Sequence, residues 1–301
     1  MRDFELRERG YEDAVATRYN RDYHQPVIMR EHDEDFAKYV AQFFHPGDRV
    51  LDLGCGPASL WPFWKAHLGG YSSLIGVDLS EGMIKECRKL YPEDDFRVGS
   101  VFEIPVETGS VDLLIASSVL HHVPDENLPD VFSDMLRVLD EHGNLVGREP
   151  ISSGRLGDSP GWFSGALMSF RHLAYRLTHT REYPEPEIGE HHHAYKPKEF
   201  LGILQKHFSP KGVILRHPVS SFVSRCDNSL VAKAAFLLDR EIKHRGGHTF
   251  YYVATKNFHD AADIASCIEL ELQGNNQINK KEFLALLQKA SELLEKELGK
   301  S

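Results

Sequence analysis

The stretch Val50-Leu51-Asp52-Leu53-Gly54-Cys55-Gly56-Pro57-Ala58-Ser59 constrains this chain more than any other. Its apolar, strand-favouring residues close on an acid and a glycine-bearing turn, and residues 58–68 can run on as a helix. A strand that stops at small residues lets a ligand approach the backbone, because no Cβ stands in the way. The helix that follows would bring unpaired N–H groups and the positive end of its dipole to the same mouth. A nucleotide-like ligand fits such a junction.

Around it, strand-like and helix-like stretches alternate. Strands are predicted at 50–53, 73–78, 96–99, 111–117 and 143–149, and helices at 58–68, 80–90 and 125–139. Ser80 is placed to cap its helix, with Glu81 in the first turn. Near-continuous apolar strands alternating with helices imply a parallel sheet covered on both faces. Upstream, residues 1–30 are polar and carry Tyr11, Tyr19 and Tyr23. Residues 31–44 read as an amphipathic helix, with Phe36, Val40, Phe43 and Phe44 at helical spacing. Pro46-Gly47-Asp48 ends it.

After residue 150 the alternation breaks. Residues 151–195 hold a Gly/Ser loop, an aromatic-rich helical stretch at 161–177 and an acidic, proline-bearing segment at 181–187. They read as an insertion covering something. A helix at 197–207, a strand at 212–217, a helix at 228–242 and a strand at 249–255 follow, with Gly246-Gly247 as a break. The final 40 residues read as helical.

The chain's 301 residues allow one α/β domain with insertions or two smaller domains. No apolar run approaches the roughly 20 residues needed to span a bilayer. The charged start, Met1 to Glu8, lacks the apolar core of a secretory signal, so a cytoplasmic location is expected. Acids outnumber Lys plus Arg by 45 to 35, a poor balance for binding phosphate backbones, so no nucleic-acid partner is expected. Cys55, Cys87, Cys226 and Cys267 form no C-x-x-C pair, which argues against a zinc knuckle or disulfide framework. Cys55 reads as a small filler of the turn.

Two ligands suit the opening junction, a dinucleotide and S-adenosylmethionine. A dinucleotide fingerprint needs a third glycine for close helix–strand packing, and Pro57-Ala58-Ser59 omits it. Asp78, 22 residues after Gly56, closes the second strand, where a carboxylate can accept from ribose hydroxyls of either ligand.

Residues 50–57 together with Gly76-Val77-Asp78-Leu79-Ser80-x-x-Met83 resemble the class I S-adenosylmethionine-dependent methyltransferases, in particular the small-molecule group whose first motif reads LDxGCG. Arg97-Val98-Gly99-Ser100-Val101-x-x-Ile104-Pro105 is similar to the segment passing the adenine. Residues 111–122, ending Leu120-His121-His122, resemble the fourth strand and its exit. Arg137-Val138-Leu139-x-x-x-Gly143-Asn144-Leu145 resembles the unit leading into the fifth.

The resemblance implies a Rossmann-like, doubly wound, mostly parallel seven-stranded α/β sheet with a helical lid insertion and C-terminal helices. The expected divisions are an N-terminal helical cap (1–45), the cofactor-binding core (46–150), the lid (151–195), the rest of the sheet (196–257) and a helical appendage (258–301). S-adenosylmethionine is the implied cofactor and a small molecule the implied acceptor. Gly54, Cys55 and Gly56 would meet its methionine moiety, with Asp52 orienting the turn or binding the amino group. Asp78 would hold the ribose hydroxyls, Leu79 and Met83 would wall the adenosine, and Ser117 would lie near the ammonium. Ser100 and Val101 would pass the adenine, although Ser100 stands where the family usually carries an acid.

Methyl transfer from a sulfonium is an in-line displacement, so the protein chiefly aligns and desolvates the acceptor. A base is needed only when the acceptor carries an unfavourable proton. His121, His122 and Glu149, at the tips of the fourth and fifth strands, are the candidates. The two histidines could instead pack on the cofactor or cap the following helix.

His191-His192-His193 lacks metal-ligand spacing, and no metal is expected; Tyr195 or one of these histidines could face the acceptor. The lid's aromatics and arginines suit a planar, sugar-like or anionic acceptor, or a satellite core. Residues 274–283 resemble the latter half of an EF-hand without the charge to hold calcium. The apolar stripe Phe283, Leu286, Leu287, Ala290, Leu293 and Leu294 must pack on its own domain or on a second copy, as in a homodimer. The rival readings are a nicotinamide-dependent oxidoreductase, a non-catalytic scaffold that uses its tail helices for a partner, and a nucleic-acid-modifying enzyme.

Overall fold

Alternate residues along the central strands are apolar on both sides, and this dictates a sheet buried between two layers. In the computed structural model, Leu114 and Ala116 face one core while Leu113 and Ile115 face the other, all four fully buried. The structure describes residues 2–19, 27–150, 169, 194–217, 219–223, 229–242 and 249–256, with 284, 285, 288 and 292. The expected lid, including His191 to His193, and the expected helical tail lie outside these residues apart from isolated positions.

Seven strands form one sheet: β1 (Arg49–Leu53), β2 (Ser73–Asp78), β3 (Asp95–Val98), β4 (Val111–Ser117), β5 (Leu139–Pro150), β6 (Ser209–Arg216) and β7 (Thr249–Thr255). Their order is β3-β2-β1-β4-β5-β7-β6. The first five are parallel, and β7 runs antiparallel to both β5 and β6. This is the expected Rossmann-like, mostly parallel sheet.

The helices are α1 (Asp3–Tyr19), α2 (Val27–Val40), α3 (Trp61–His67), α4 (Glu81–Leu90), α5 (Leu128–Val138), α6 (Pro197–Leu204) and α7 (Ser229–Ile242). One face of the sheet packs on Phe132, Met135 and Val138 of α5 and on Phe200 and Leu204 of α6. The other packs on Phe36 and Val40 of α2, Trp61 and Trp64 of α3, and Ile84 and Cys87 of α4. Among the described residues no helix is long and apolar enough to cross a membrane.

Several boundaries differ from expectation for local reasons. The helix expected from residue 58 begins only at Trp61, because Ala58 sits in the left-handed region (φ 59°) and residues 56–60 are turn. β5 begins at Leu139, which pairs with Val111 of β4, and continues to Pro150, which pairs with Thr249 of β7. The polar N-terminal stretch contains a whole helix, α1, with only Glu5, Val15 and Ala16 buried. Ser80 caps α4 as expected, accepting from Met83 N at 3.0 Å.

Candidate active site

β1, β2, β4 and β5 end at one edge of the sheet, and the antiparallel β7 starts there, Thr249 pairing with Pro150 and Arg216. The strand order reverses between β1 and β4, which opens a crevice at their carboxyl ends. A cavity of about 410 Å³ occupies it, lined also by α1 and α2. Small-molecule sites commonly enclose roughly 300–1,000 Å³.

One half of the cavity is built by the opening turn. Gly54 (φ 73°) and Gly56 (φ 52°) have left-handed backbones, and a Cβ on Gly54 would come within 2.1 Å of Val119 Cγ2. Gly54 N and Cys55 N donate to Val77 O at 2.7 and 3.0 Å, which ties the turn to β2. Asp78 then locks the turn to α4: Oδ2 accepts from Gly56 N at 2.9 Å and Oδ1 from Ser80 N at 2.8 Å. Each oxygen keeps lone-pair capacity for a ligand hydroxyl. Burial raises the Asp78 pKa.

Asp52 lies beneath the turn and off the cavity wall. Its Oδ2 accepts from Trp64 Nε1 at 2.7 Å, while Oδ1 is buried with no partner among the described residues. Burial pushes this carboxyl up to about 7.

At the exit of β4 the chain turns through left-handed Ser118 (φ 57°) onto Glu149. The Glu149 carboxylate accepts from Leu120 N at 2.9 Å and Val119 N at 3.2 Å, and its Oε2 lies 2.7 Å from His121 Nδ1. Burial pushes Glu149 up to about 7, against the lowering effect of those amides. His122 Nδ1 pairs instead with Glu8 of α1 at 2.8 Å. Burial alone would lower the His122 pKa; Glu8, with Glu12 and Glu149 near it, raises it instead.

α1 docks over this half through polar groups, and Glu5, Glu8 and Glu12 all line the cavity. Asp13 Oδ1 accepts from Ser80 Oγ at 2.6 Å and from Gly82 N at 2.7 Å. Glu5 Oε1 accepts from Ser100 Oγ at 2.5 Å. Burial pushes Glu12 up to about 8, a rise opposed by His122 and supported by Asp78.

The other half lies beyond β4. Arg148 of β5 donates from Nε to Ser117 Oγ at 2.8 Å and from Nη2 to Asp33 of α2 at 2.5 Å. His32 of α2 stacks on His217, which follows β6, with ring centroids 3.8 Å apart. Arg148, His32, His217 and Thr249 all line the cavity here.

Of the residues singled out from sequence, Gly54, Cys55, Gly56, Asp78, Leu79, Val101, Ser117, His121 and His122 come together on the cavity wall. Four do not. Asp52 is beneath the turn, and Met83 packs under α1 with Val15 and Ala16, away from the wall where an adenosine contact would require it. Ser100 is covered by Glu5, which takes its place on the wall. Glu149 is fully buried and turned onto backbone amides and His121, so it cannot meet an acceptor directly. Tyr195 likewise faces inward, donating to Leu120 O at 2.7 Å beside Phe200.

Sequence reasoning missed the α1 acids and the cluster of Arg148, His32 and His217. An i, i+3, i+7 spacing of Glu5, Glu8 and Glu12 was the available signal for the first. Nothing local signals the second, whose members are distant in sequence.

Residues 50–143 match the model of a methyltransferase domain. The chain is 26% identical over 141 residues to a demethylmenaquinone methyltransferase of Symbiobacterium thermophilum, covering 44% of this chain and 55% of that protein. It spans about half the length of this curated relative, and less of some others. Among solved structures it is similar to a geranyl diphosphate C-methyltransferase of Streptomyces coelicolor, with a TM-score of 0.55 at 14% identity, covering 85% of this chain and 99% of that one. The cyclase SpnF has the same fold, with a TM-score of 0.56 at 15% identity, covering 85% of this chain and 97% of that one.

Proposed function

From the class I S-adenosylmethionine-dependent methyltransferase domain that this chain carries, we propose that the protein transfers the methyl group of S-adenosylmethionine to a small-molecule acceptor. The observation that carries this reading is one cavity running from the Gly54–Gly56 turn and Asp78 to Ser117, Arg148 and His217. The cofactor supplies the electrophilic methyl group, and the residues align what attacks it.

Gly54 and Gly56 admit the methionine end, and the unpartnered Asp52 Oδ1 supplies negative charge beneath it. Asp78 accepts from the ribose hydroxyls. Glu5 offers a carboxylate at Ser100, where the resemblance leads one to expect an acid. His121 is the proton acceptor for a hydroxyl-bearing substrate, and Glu149 positions it through Nδ1.

The nicotinamide reading loses support. A dinucleotide pyrophosphate needs a helix N-terminus directly after the glycine turn, and α3 begins only at Trp61.

Calorimetric titration with S-adenosylhomocysteine tests this. The wild type should bind it, and Asp78→Ala should bind at least about tenfold more weakly, a loss of roughly 1.4 kcal/mol. Labelled methyl transfer into a panel of hydroxylated and amino small molecules should follow. Folded protein that binds neither S-adenosylmethionine nor S-adenosylhomocysteine would overturn the reading.

A further inference from the structure

We propose that His32, His217 and Asp239 form a binding site for a divalent transition-metal ion on the acceptor side of the cavity. One ligand atom from each of the three lies within 4.8 Å of the others. Donor atoms around a tetrahedral ion bound at about 2.0–2.2 Å stand roughly 3.3–3.6 Å apart, so sub-ångström adjustments close the set.

The hydrogen bonds prepare each donor. Tyr251 has one hydroxyl proton and faces two oxygens, Asp35 Oδ2 at 3.2 Å and His32 O at 3.5 Å. His217 Nε2 lies 2.8 Å from the same hydroxyl, and the tautomer that donates to it carries its lone pair on Nδ1. That atom faces Asp239 Oδ2 at 3.8 Å. In that tautomer a ring lone pair and a carboxylate oxygen face each other, an arrangement that a cation between them would stabilise.

Asp239 is oriented for the task. Its Oδ1 accepts from Val219 N at 2.7 Å and Ser220 N at 3.2 Å, which leaves Oδ2 toward the histidines. His32 Nε2 approaches from the same side, joined to Asp239 Oδ2 through the Ser220 hydroxyl, which is 2.6 Å from His32. Coordination through Nε2 uses the Nδ1–H tautomer of His32, with Ser220 turning off His32 and still donating to Asp239. Such outer partners fix tautomer and ring orientation in metal sites.

One further observation agrees. His217 holds a left-handed backbone (φ 59°), a strain that persists where the surroundings require it.

Two imidazoles and a carboxylate suit zinc, iron or cobalt better than magnesium or calcium. Both histidines are on the cavity wall, so an ion held there has a side toward the acceptor. It would lower the pKa of a coordinated acceptor hydroxyl. That consequence rests on the methyl-transfer reading; the site itself does not.

The test uses the full chain with His191, His192 and His193 replaced by Ala, so that this run cannot chelate. After chelator treatment and dialysis, Co²⁺ titration should show one ion per chain with visible d–d absorption. His217→Ala and Asp239→Asn should each weaken binding at least tenfold, whereas exposed His142→Ala should not. Ser220→Ala keeps all three donors and should still bind, which covers the case where the first two variants fold poorly. Less than a tenth of an ion per chain, or binding indifferent to both ligand substitutions, would overturn the proposal and leave a proton relay from His32 through Ser220 to Asp239. Neither donor nor acceptor is present, so a failed methyl-transfer assay cannot be confused with a missing ion.

Discussion

Asp13 caps a helix that begins 68 residues later: its carboxylate accepts from Ser80 Oγ at 2.6 Å, while Ser80 itself accepts from Met83 N. Through this pair α1 is fastened to the N-terminus of α4, directly beside Asp78. Hydrogen bonds to a charged group contribute about 1.5–3 kcal/mol each. Asp13→Ala should therefore free α1 while leaving the sheet intact. Hydrogen exchange is expected to accelerate across residues 3–19 alone, and S-adenosylhomocysteine should partly restore protection. Unchanged exchange in α1 would mean that its docking rests elsewhere.

Gly54→Ala should abolish cofactor binding and destabilise the fold. The added Cβ meets Val119 Cγ2 at 2.1 Å, and the positive φ opposes any side chain. Overpacking costs about 1–3 kcal/mol. Gly54→Ala combined with Val119→Ala should recover part of the stability in urea denaturation, because the 2.1 Å contact goes and only a 3.2 Å approach to Val119 Cβ and the backbone strain remain.

Arg148 and Asp33 form a nearly inaccessible pair at 2.5 Å. Removing one partner leaves a buried charge uncompensated, at about 3–5 kcal/mol, whereas replacing both by apolar residues can be neutral. Asp33→Leu should thus lower the unfolding midpoint strongly, and Asp33→Leu with Arg148→Met should return most of it. Equal losses for single and double variants would show that the pair's role is covered by its neighbours.

Stability of the unliganded chain should fall between about pH 6.5 and about pH 8.5, above the range where His32 and His217, buried neutral and held below their ordinary pKa, add stability as pH rises. Asp52, Glu149 and Glu12 have folded pKa values near 7, 7 and 8, above their ordinary 3.8, 4.5 and 4.5. The folded state holds these protons more tightly, so their stabilising contribution is complete below the unfolded values and is lost as pH rises through the folded ones. His122 is raised too and acts in the same direction above its ordinary value of 6.5. Thermal melts across this range should show the decline, and Glu12→Gln should flatten its upper end. A cationic ligand bound among these acids should reverse the trend, binding more tightly at the higher pH.

Glu5→Ala should weaken S-adenosylhomocysteine binding, since the nearest alternative, Ser100, is neutral and sits behind it. A loss of roughly 1–3 kcal/mol is expected in calorimetry. An unaffected affinity would remove Glu5 from the binding site.

What could be read from sequence follows from how each part is held. The central strands bury both faces, so Leu113 to Ala116 appear as a continuous apolar run, and Ser80 announces its cap by type and position. α1 gave no such signal because its contacts are polar: Asp13 to Ser80, Glu8 to His122, Glu5 to Ser100. A helix without an apolar stripe is invisible to periodicity. Glu149 reads as a candidate base from its place at a strand tip, but the turn after β4 folds back and uses its carboxylate for backbone amides. His32 meets Ser220 across 188 positions, a contact that only the reversed strand β7 between β5 and β6 makes possible.

That reversed strand also separates two kinds of inheritance. The donor-side wall, apart from its α1 cover, comes from residues 53–123, one contiguous block. The far wall is assembled from Met29, His32, Arg148, Pro150, His217 and Thr249, contributed by four separate segments. The far segments can therefore drift, or be exchanged between relatives, without rewriting the block that grips the donor. A library confined to Met29, His32, Pro150, His217 and Thr249, with Arg148 kept for its pair with Asp33, should yield proteins with altered acceptor choice and an intact affinity for S-adenosylhomocysteine.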